Sequence, residues 1–195
     1  VIGAFVARYL SRYQAEILVI DKENDVGNVT SMANSAIVHS GDDPVPGTLK
    51  AKFNVLGNKM FPQVADELDV EFDMIGSMNV ALDEDQLKGL DVLEDRARQN
   101  GVEVHRLSGE EVKAMEPHIN PEVKGALYCP SAGIVNPFNL TAHAMENACD
   151  NGVELHLGET VESIEKSDGH FIIKTNKAQY EARLVVNCAG FHSDD

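Results

Sequence analysis

The residues best suited to chemistry lie in one stretch, Thr30-Ser31-Met32-Ala33-Asn34-Ser35-Ala36-Ile37-Val38-His39-Ser40-Gly41. It opens as a run of small hydroxyl and amide side chains and ends in an apolar run carrying a single histidine. Small polar residues let backbone come close to a large, flat, phosphorylated ligand while offering donors to its oxygens. An imidazole at the end of a strand moves a proton near neutral pH. The combination is what proton transfer beside a bound phosphorylated cofactor requires.

A second pair of residues points the same way. Ile17-Leu18-Val19-Ile20 is a short unbroken apolar run that ends at Asp21, 18 positions after Gly3. In a dinucleotide-binding unit, an acid about 20 residues after the glycine turn accepts hydrogen bonds from the adenosine ribose. Val1-Ile2-Gly3 fits the last three positions of G-x-G-x-x-G, with the first strand and its two glycines lying before Val1.

Other candidate groups carry less. His105, His118, His143, His156, His170 and His192 have no partner at ligand spacing, so they read as structural or solvent-facing, and no metal site is expected. Asp83, Glu84 and Asp85 read as a charge cluster at a helix N-terminus, not as paired catalytic carboxylates. Lys50 and Lys52 read as solvent-facing on a helix. Neither G-x-S-x-G nor H-E-x-x-H occurs, which removes support for a serine hydrolase or a zinc protease.

The elements that must position these residues follow from periodicity. Residues 3–13 read as a helix with Ala4, Val6, Ala7 and Leu10 on one face, and 17–20 as a strand buried on both faces of a parallel sheet. After the turn-rich Asp42-Asp43-Pro44-Val45-Pro46-Gly47, residues 48–68 read as a long helix. Its stripe of Leu49, Phe53, Leu56, Met60, Phe61, Val64 and Leu68 is expected in the core, with Pro62 kinking or splitting the helix. Strands are expected over 70–74 and 78–82, a charged helix over 84–100 stopped by Asn100-Gly101, and a strand over 102–107. Ser108-Gly109-Glu110-Glu111 is a capping box opening a short helix. Gly125–Cys129 and Gly133–Val135 read as strands facing each other or a shared neighbour. A helix over 138–150 buries Leu140, Ala144, Met145 and Ala148. Strands then follow at 153–157, 160–165 and 170–175, with an Asp168-Gly169 hairpin turn. Tyr180–Asn187 reads as a strand running into Cys188-Ala189-Gly190.

The 195 residues carry a net charge of −16, which argues against a nucleic acid or an anionic membrane as partner. No apolar run reaches the roughly 18 residues of a membrane span. The chain opens on Val1, which leaves a processed or truncated start open. Three widely spaced cysteines without a CxxC fit reduced thiols and a cytoplasmic location.

Several of these segments converge on a family. Asn34 to Gly41, followed by Pro46-Gly47-Thr48-Leu49-Lys50-Ala51-Lys52, resembles the N-S-G-[IV]-[IV]-H-[AS]-G stretch and proline-led helix start of FAD-dependent oxidoreductases. That superfamily includes D-amino-acid oxidase. The nearest resemblance within it is to the glycerol-3-phosphate dehydrogenase and L-2-hydroxyglutarate oxidase branches. Ile20-Asp21-Lys22-Glu23, Pro130 to Val135 and Val185 to Asp194 add to it, and Ala36 stands where the family has Gly. The likeness runs over nearly the whole chain and covers about the N-terminal half of such an enzyme.

The resemblance implies an α/β fold: an incomplete FAD-binding Rossmann-like domain over 1–44 and 137–195, with an α+β substrate-side domain inserted over 45–136. It implies that Gly3, Asp21, Lys22, Thr30, Ser31, Asn34, Ser35, Val161, Ala189 and Gly190 line FAD. His39 would be the catalytic base or substrate-orienting group. The implied reaction is oxidation of a small anionic secondary alcohol by hydride transfer to the flavin. Oxidation of a 2-hydroxy acid, flavin amine oxidation and an inactive fragment are the alternatives. The electron acceptor has no signature in the sequence.

Overall fold

The computed structural model describes residues 1–194 and divides the chain into two compact units. The first comprises Val1–Ser35, Leu68–Val70 and the residues from Asn136 onward; the second comprises Ala36–Glu67 and Glu71–Val135.

The first unit opens with α1 (Ile2–Leu10), whose Ala4 and Ala7 are buried, and β1 (Leu18–Ile20). The second unit then supplies β2 (Ile37–Val38), α2 (Leu49–Glu67), β3 (Phe72–Asp73), β4 (Ser77–Ala81), α3 (Glu84–Asn100), β5 (His105–Ser108), α4 (Gly109–Met115), β6 (Gly125–Cys129) and β7 (Gly133–Val135). The chain returns to the first unit with α5 (Pro137–Asp150), β8 (Glu154–His156), β9 (Val161–Ser167), β10 (His170–Thr175) and β11 (Gln179–Ala182), and a 3-10 turn at Gly190–His192.

In the first unit β1 pairs with β8 in parallel, Leu18 opposite Glu154 and Ile20 opposite His156. β9, β10 and β11 form an antiparallel meander. Asp168 and Gly169 both adopt positive φ, 46° and 86°, as a tight hairpin turn demands. α5 buries Leu140, Ala144, Met145 and Ala148, and Asn136 caps it by accepting from the N–H groups of Phe138 and Asn139.

The second unit holds two three-stranded sheets, ordered β2-β7-β3 and β4-β6-β5. Ala81, Leu90 and Leu127 form one core cluster, and Val112, Val123 and Ala126 another. Asp83 caps α3, with Gly101 closing it at φ 73°. The expected capping box is present, Ser108 Oγ accepting from Glu111 N–H while the Glu111 carboxylate accepts from Ser108 N–H.

Five expectations are corrected. β6 and β7 neither pair nor share a neighbour: β6 lies between β4 and β5, and β7 between β2 and β3. Pro62 does not split α2, which runs unbroken from Leu49 to Glu67. Proline forfeits one N–H donor there, and the flanking turns hold. The apolar stripe of α2 is not core over its first part: Leu49 is 70% exposed and Phe53 60%, while Ala51, Val64 and Ala65 are the buried residues. Small side chains thus form the packed face. Finally, the strand expected to reach Asn187 stops at Ala182, and Leu184 and Val186 are exposed. A strand exists only by its ladder, and no described strand pairs with 184–186. For the same reason β1, paired only with β8 among the described residues, is half-buried and not enclosed on both faces.

Among the described residues no helix is long and apolar enough to cross a membrane.

Candidate functional site

In the first unit three of the expected cofactor-side residues, Gly3, Asp21 and Ser31, lie close to the start of α1. A helix leaves its first N–H groups without intrahelical partners, and their dipoles favour an anion there. The first turn of α1 contains no acidic residue to satisfy that preference. The Val1 backbone nitrogen and Ser31 Oγ lie 2.9 Å apart. Asp21 and Cys188 lie close enough to that nitrogen to interact with it electrostatically. A Cβ placed on Gly3 would lie 3.4 Å from the Cβ of Cys188, the residue before Ala189 and Gly190. Gly3, Asp21, Ser31 and the 188–190 segment therefore share one neighbourhood.

Asp21 sits just past β1 and is held on three sides. Its N–H donates to the His156 carbonyl at 2.9 Å, and its carbonyl accepts from Glu159 N–H at 3.0 Å. Its Oδ1 accepts from Glu23 N–H at 3.0 Å, which leaves Oδ2 for a ligand. Lys22, next in the chain, is exposed.

The Thr30–Ser35 turn is braced from within. Asn34 Nδ2 donates to the carbonyls of Ser31 and Thr30, at 2.8 Å and 3.2 Å. Its amide hydrogens thus hold the loop, whereas Thr30 and Ser35 are exposed. Gly190 adopts φ 58°, and Ala189 N–H donates to Asn187 Oδ1 at 3.0 Å. Val161 begins β9 and is 41% exposed.

His39 belongs to the second unit, directly after β2, and its side chain is exposed. The turn behind it is firmly held. Ser40 and Asp42 are buried, at 2% and 5% exposure. Asn79 Nδ2 donates to Asp42 Oδ2 at 3.3 Å. Asn100 Nδ2 donates to both the Gly41 and Pro44 carbonyls at 2.9 Å. Burial pushes the Asp42 carboxyl above its ordinary range, aided by Asp43 and opposed by its own backbone N–H, by His39 and by Asn79. Asp42 escaped the sequence reading because Asp-Asp-Pro looks like a solvated turn.

Ala36, at the family's glycine position, has φ 60°. The left-handed region costs an L-residue roughly 1–2 kcal/mol, part of which glycine returns as unfolded-chain entropy. Ala36→Gly is therefore expected to raise stability by about 0.5–1 kcal/mol, read as an upward shift of the thermal unfolding midpoint.

With this geometry in place, the comparisons decide the family. The whole sequence, residues 1–195, matches the family described as FAD dependent oxidoreductase. The chain belongs to that family. A glycerol 3-phosphate dehydrogenase from Caloramator mitchellensis is 48% identical over 195 residues, covering all of this chain and 41% of the relative. An L-2-hydroxyglutarate dehydrogenase from Escherichia coli (strain K12) is 28% identical over 181 residues, 92% of this chain and 42% of the relative. The solved structure of the dithionite-reduced L-alpha-glycerophosphate oxidase from Mycoplasma pneumoniae, with FAD bound, superposes with a TM-score of 0.86 at 30% identity. That match covers 91% of this chain and 47% of the oxidase. The chain thus spans about half the length of the relatives it matches.

The residues present fit an adenine dinucleotide. A helix start without acid in its first turn suits a pyrophosphate, a close glycine lets backbone approach it, and Asp21 Oδ2 suits a ribose hydroxyl.

Proposed function

We propose that this chain forms the dinucleotide-holding part of a flavoprotein that oxidises a small anionic secondary alcohol, with glycerol 3-phosphate as the leading substrate. The observation that carries the flavin reading is the gathering of Asp21, Ser31 and the Gly3–Cys188 contact around the acid-free start of α1. The choice of alcohol rests on the 48% identity to a glycerol 3-phosphate dehydrogenase and on His39.

In this reading the α1 N–H groups bind the pyrophosphate and Asp21 accepts from the adenosine ribose. Thr30, Ser31 and Ser35 offer hydroxyls along the phosphate and ribityl path, and Asn34 keeps their loop in shape. Lys22 flanks the ribose, Val161 offers backbone toward adenine, and Ala189 and Gly190 pass close to the cofactor because neither carries a bulky side chain. Bound FAD would supply the hydride acceptor. His39 would take the hydroxyl proton as the C–H bond is broken, a ring nitrogen acting as the base. Residues 1–44 and 137–195 are assigned to the cofactor domain and 45–136 to the substrate side. The free cysteines Cys129, Cys149 and Cys188 support a cytoplasmic location.

Flavin absorbance tests the cofactor half of the reading. The protein carrying this chain at the length of its relatives is expected to keep a flavin spectrum through gel filtration. Asp21→Ala is expected to weaken FAD binding by roughly tenfold or more, the loss of a charge-assisted hydrogen bond. A colourless protein that ignores added FAD would overturn the proposal.

A further inference from the structure

A buried polar cluster lies directly against Asp21, in the first unit. Glu159 has a side chain only 4% exposed, yet it is a carboxylate. Its Oε1 accepts from Thr175 Oγ1 at 2.6 Å and from Tyr180 OH at 2.8 Å. Its Oε2 lies 3.2 Å from His156 Nδ1. His156 in turn meets Tyr180 OH at 2.9 Å through Nδ1, and Glu154 Oε1 at 2.7 Å through Nε2. Lys177 Nζ closes the same corner by donating to the Leu157 carbonyl at 3.2 Å.

An acid is rarely buried without a reason, because a carboxylate taken out of water is destabilised unless it is fully hydrogen-bonded. Here the bonds are supplied. The Thr175 hydroxyl, with Tyr180 and His156 behind it, holds the Glu159 carboxyl below its usual range against the opposing effect of burial. The hydrogen bond to Glu159 in turn pushes the Tyr180 phenol up. The site is therefore a charged, satisfied knot tying the end of β8 to β10 and β11.

Its backbone shows what the knot holds. Glu159 N–H donates to the Asp21 carbonyl at 3.0 Å, Asp21 N–H donates to the His156 carbonyl at 2.9 Å, and Gly158 N–H donates to the Glu23 carbonyl at 2.7 Å. Two residues after Glu159, Val161 starts β9. The 156–159 segment thus clamps Asp21 and Glu23 on one side and leads into Val161 on the other.

We infer that Glu159 is the positioning residue for the adenosine end of the cofactor: its carboxylate, gripped by Thr175, Tyr180 and His156, fixes the segment that aims Asp21 and presents Val161. This rests on the FAD reading above. A mere packing role would need no charge at this position, since a well-packed apolar group would avoid the desolvation cost.

The test measures FAD affinity, the visible spectrum of bound FAD and thermal unfolding for Glu159→Gln and Tyr180→Phe in the protein at the length of its relatives. Glu159→Gln is expected to weaken FAD binding by roughly tenfold, as outer partners of a ligating group do, with the bound-flavin spectrum unchanged. Tyr180→Phe removes one bond to the carboxylate and is expected to give a smaller loss in the same direction. It also covers the case in which Glu159→Gln does not fold. Unchanged FAD affinity in the folded variants, or a loss accompanied by an altered flavin spectrum, would overturn the assignment. A wild-type protein that binds no FAD would instead remove the FAD reading itself.

Discussion

His39→Gln is expected to cut kcat for glycerol 3-phosphate by about 10²- to 10⁴-fold, the range associated with a positioned general base, while FAD stays bound. Glutamine keeps a hydrogen-bonding side chain of similar reach but cannot accept a proton near neutral pH. The substitution alters none of Asp21, Ser31 and Gly3, and the proposal gives His39 no part in holding the cofactor. The effect should therefore appear in the reductive step and not in flavin content, and single-turnover flavin reduction separates the two. An amine substrate carries no hydroxyl proton to remove. Retained amine oxidation in this variant would favour the amine-oxidase alternative.

Gly41→Ala is expected to destabilise the chain by roughly 2–4 kcal/mol, combining left-handed backbone strain with overpacking. Gly41 has φ 89°, and a Cβ there would come within 2.6 Å of Val55 Cγ2 and 3.1 Å of the Val55 backbone nitrogen. A backbone atom cannot turn aside as a side chain can. The Gly41 carbonyl also accepts from Asn100, so a shift at residue 41 strains that bond as well. Gly47→Ala makes a clean comparison, because φ there is 79° with nothing within 4 Å of the added Cβ. It should cost only the backbone share, about 1 kcal/mol. Denaturant midpoints of the two variants separate strain from crowding. Because Gly41 follows His39 by two residues, its variant should also lose activity beyond its loss of stability.

Much of this architecture was legible because local chemistry determined it. Asp83, Ser108, Asn136 and Gly101 mark helix ends by hydrogen bonds that a few neighbouring residues complete, and the spacing of Leu140, Ala144, Met145 and Ala148 suffices to orient α5. What escaped was relational. Leu184–Val186 has the composition of a buried strand, but no described strand pairs with it. The α2 stripe has the right period, yet period identifies an apolar face without saying what packs on it. Asp42 and Glu159 look like ordinary surface acids in sequence. Only the folded chain brings Asn79 to the one and Thr175, Tyr180 and His156 to the other. Asn34, too, shows only in the folded chain that its amide hydrogens brace its own loop.

Anaerobic addition of glycerol 3-phosphate to the FAD-loaded protein, followed by flavin absorbance, tests the proposed alcohol oxidation. Bleaching is expected with glycerol 3-phosphate, none with glycine, and the rapid phase is expected to be lost in His39→Gln. Bleaching by L-2-hydroxyglutarate alone would keep the alcohol chemistry and His39 while reassigning the substrate. A loaded flavin that none of these alcohols reduces, or that glycine reduces instead, would overturn the assignment of an anionic alcohol as substrate.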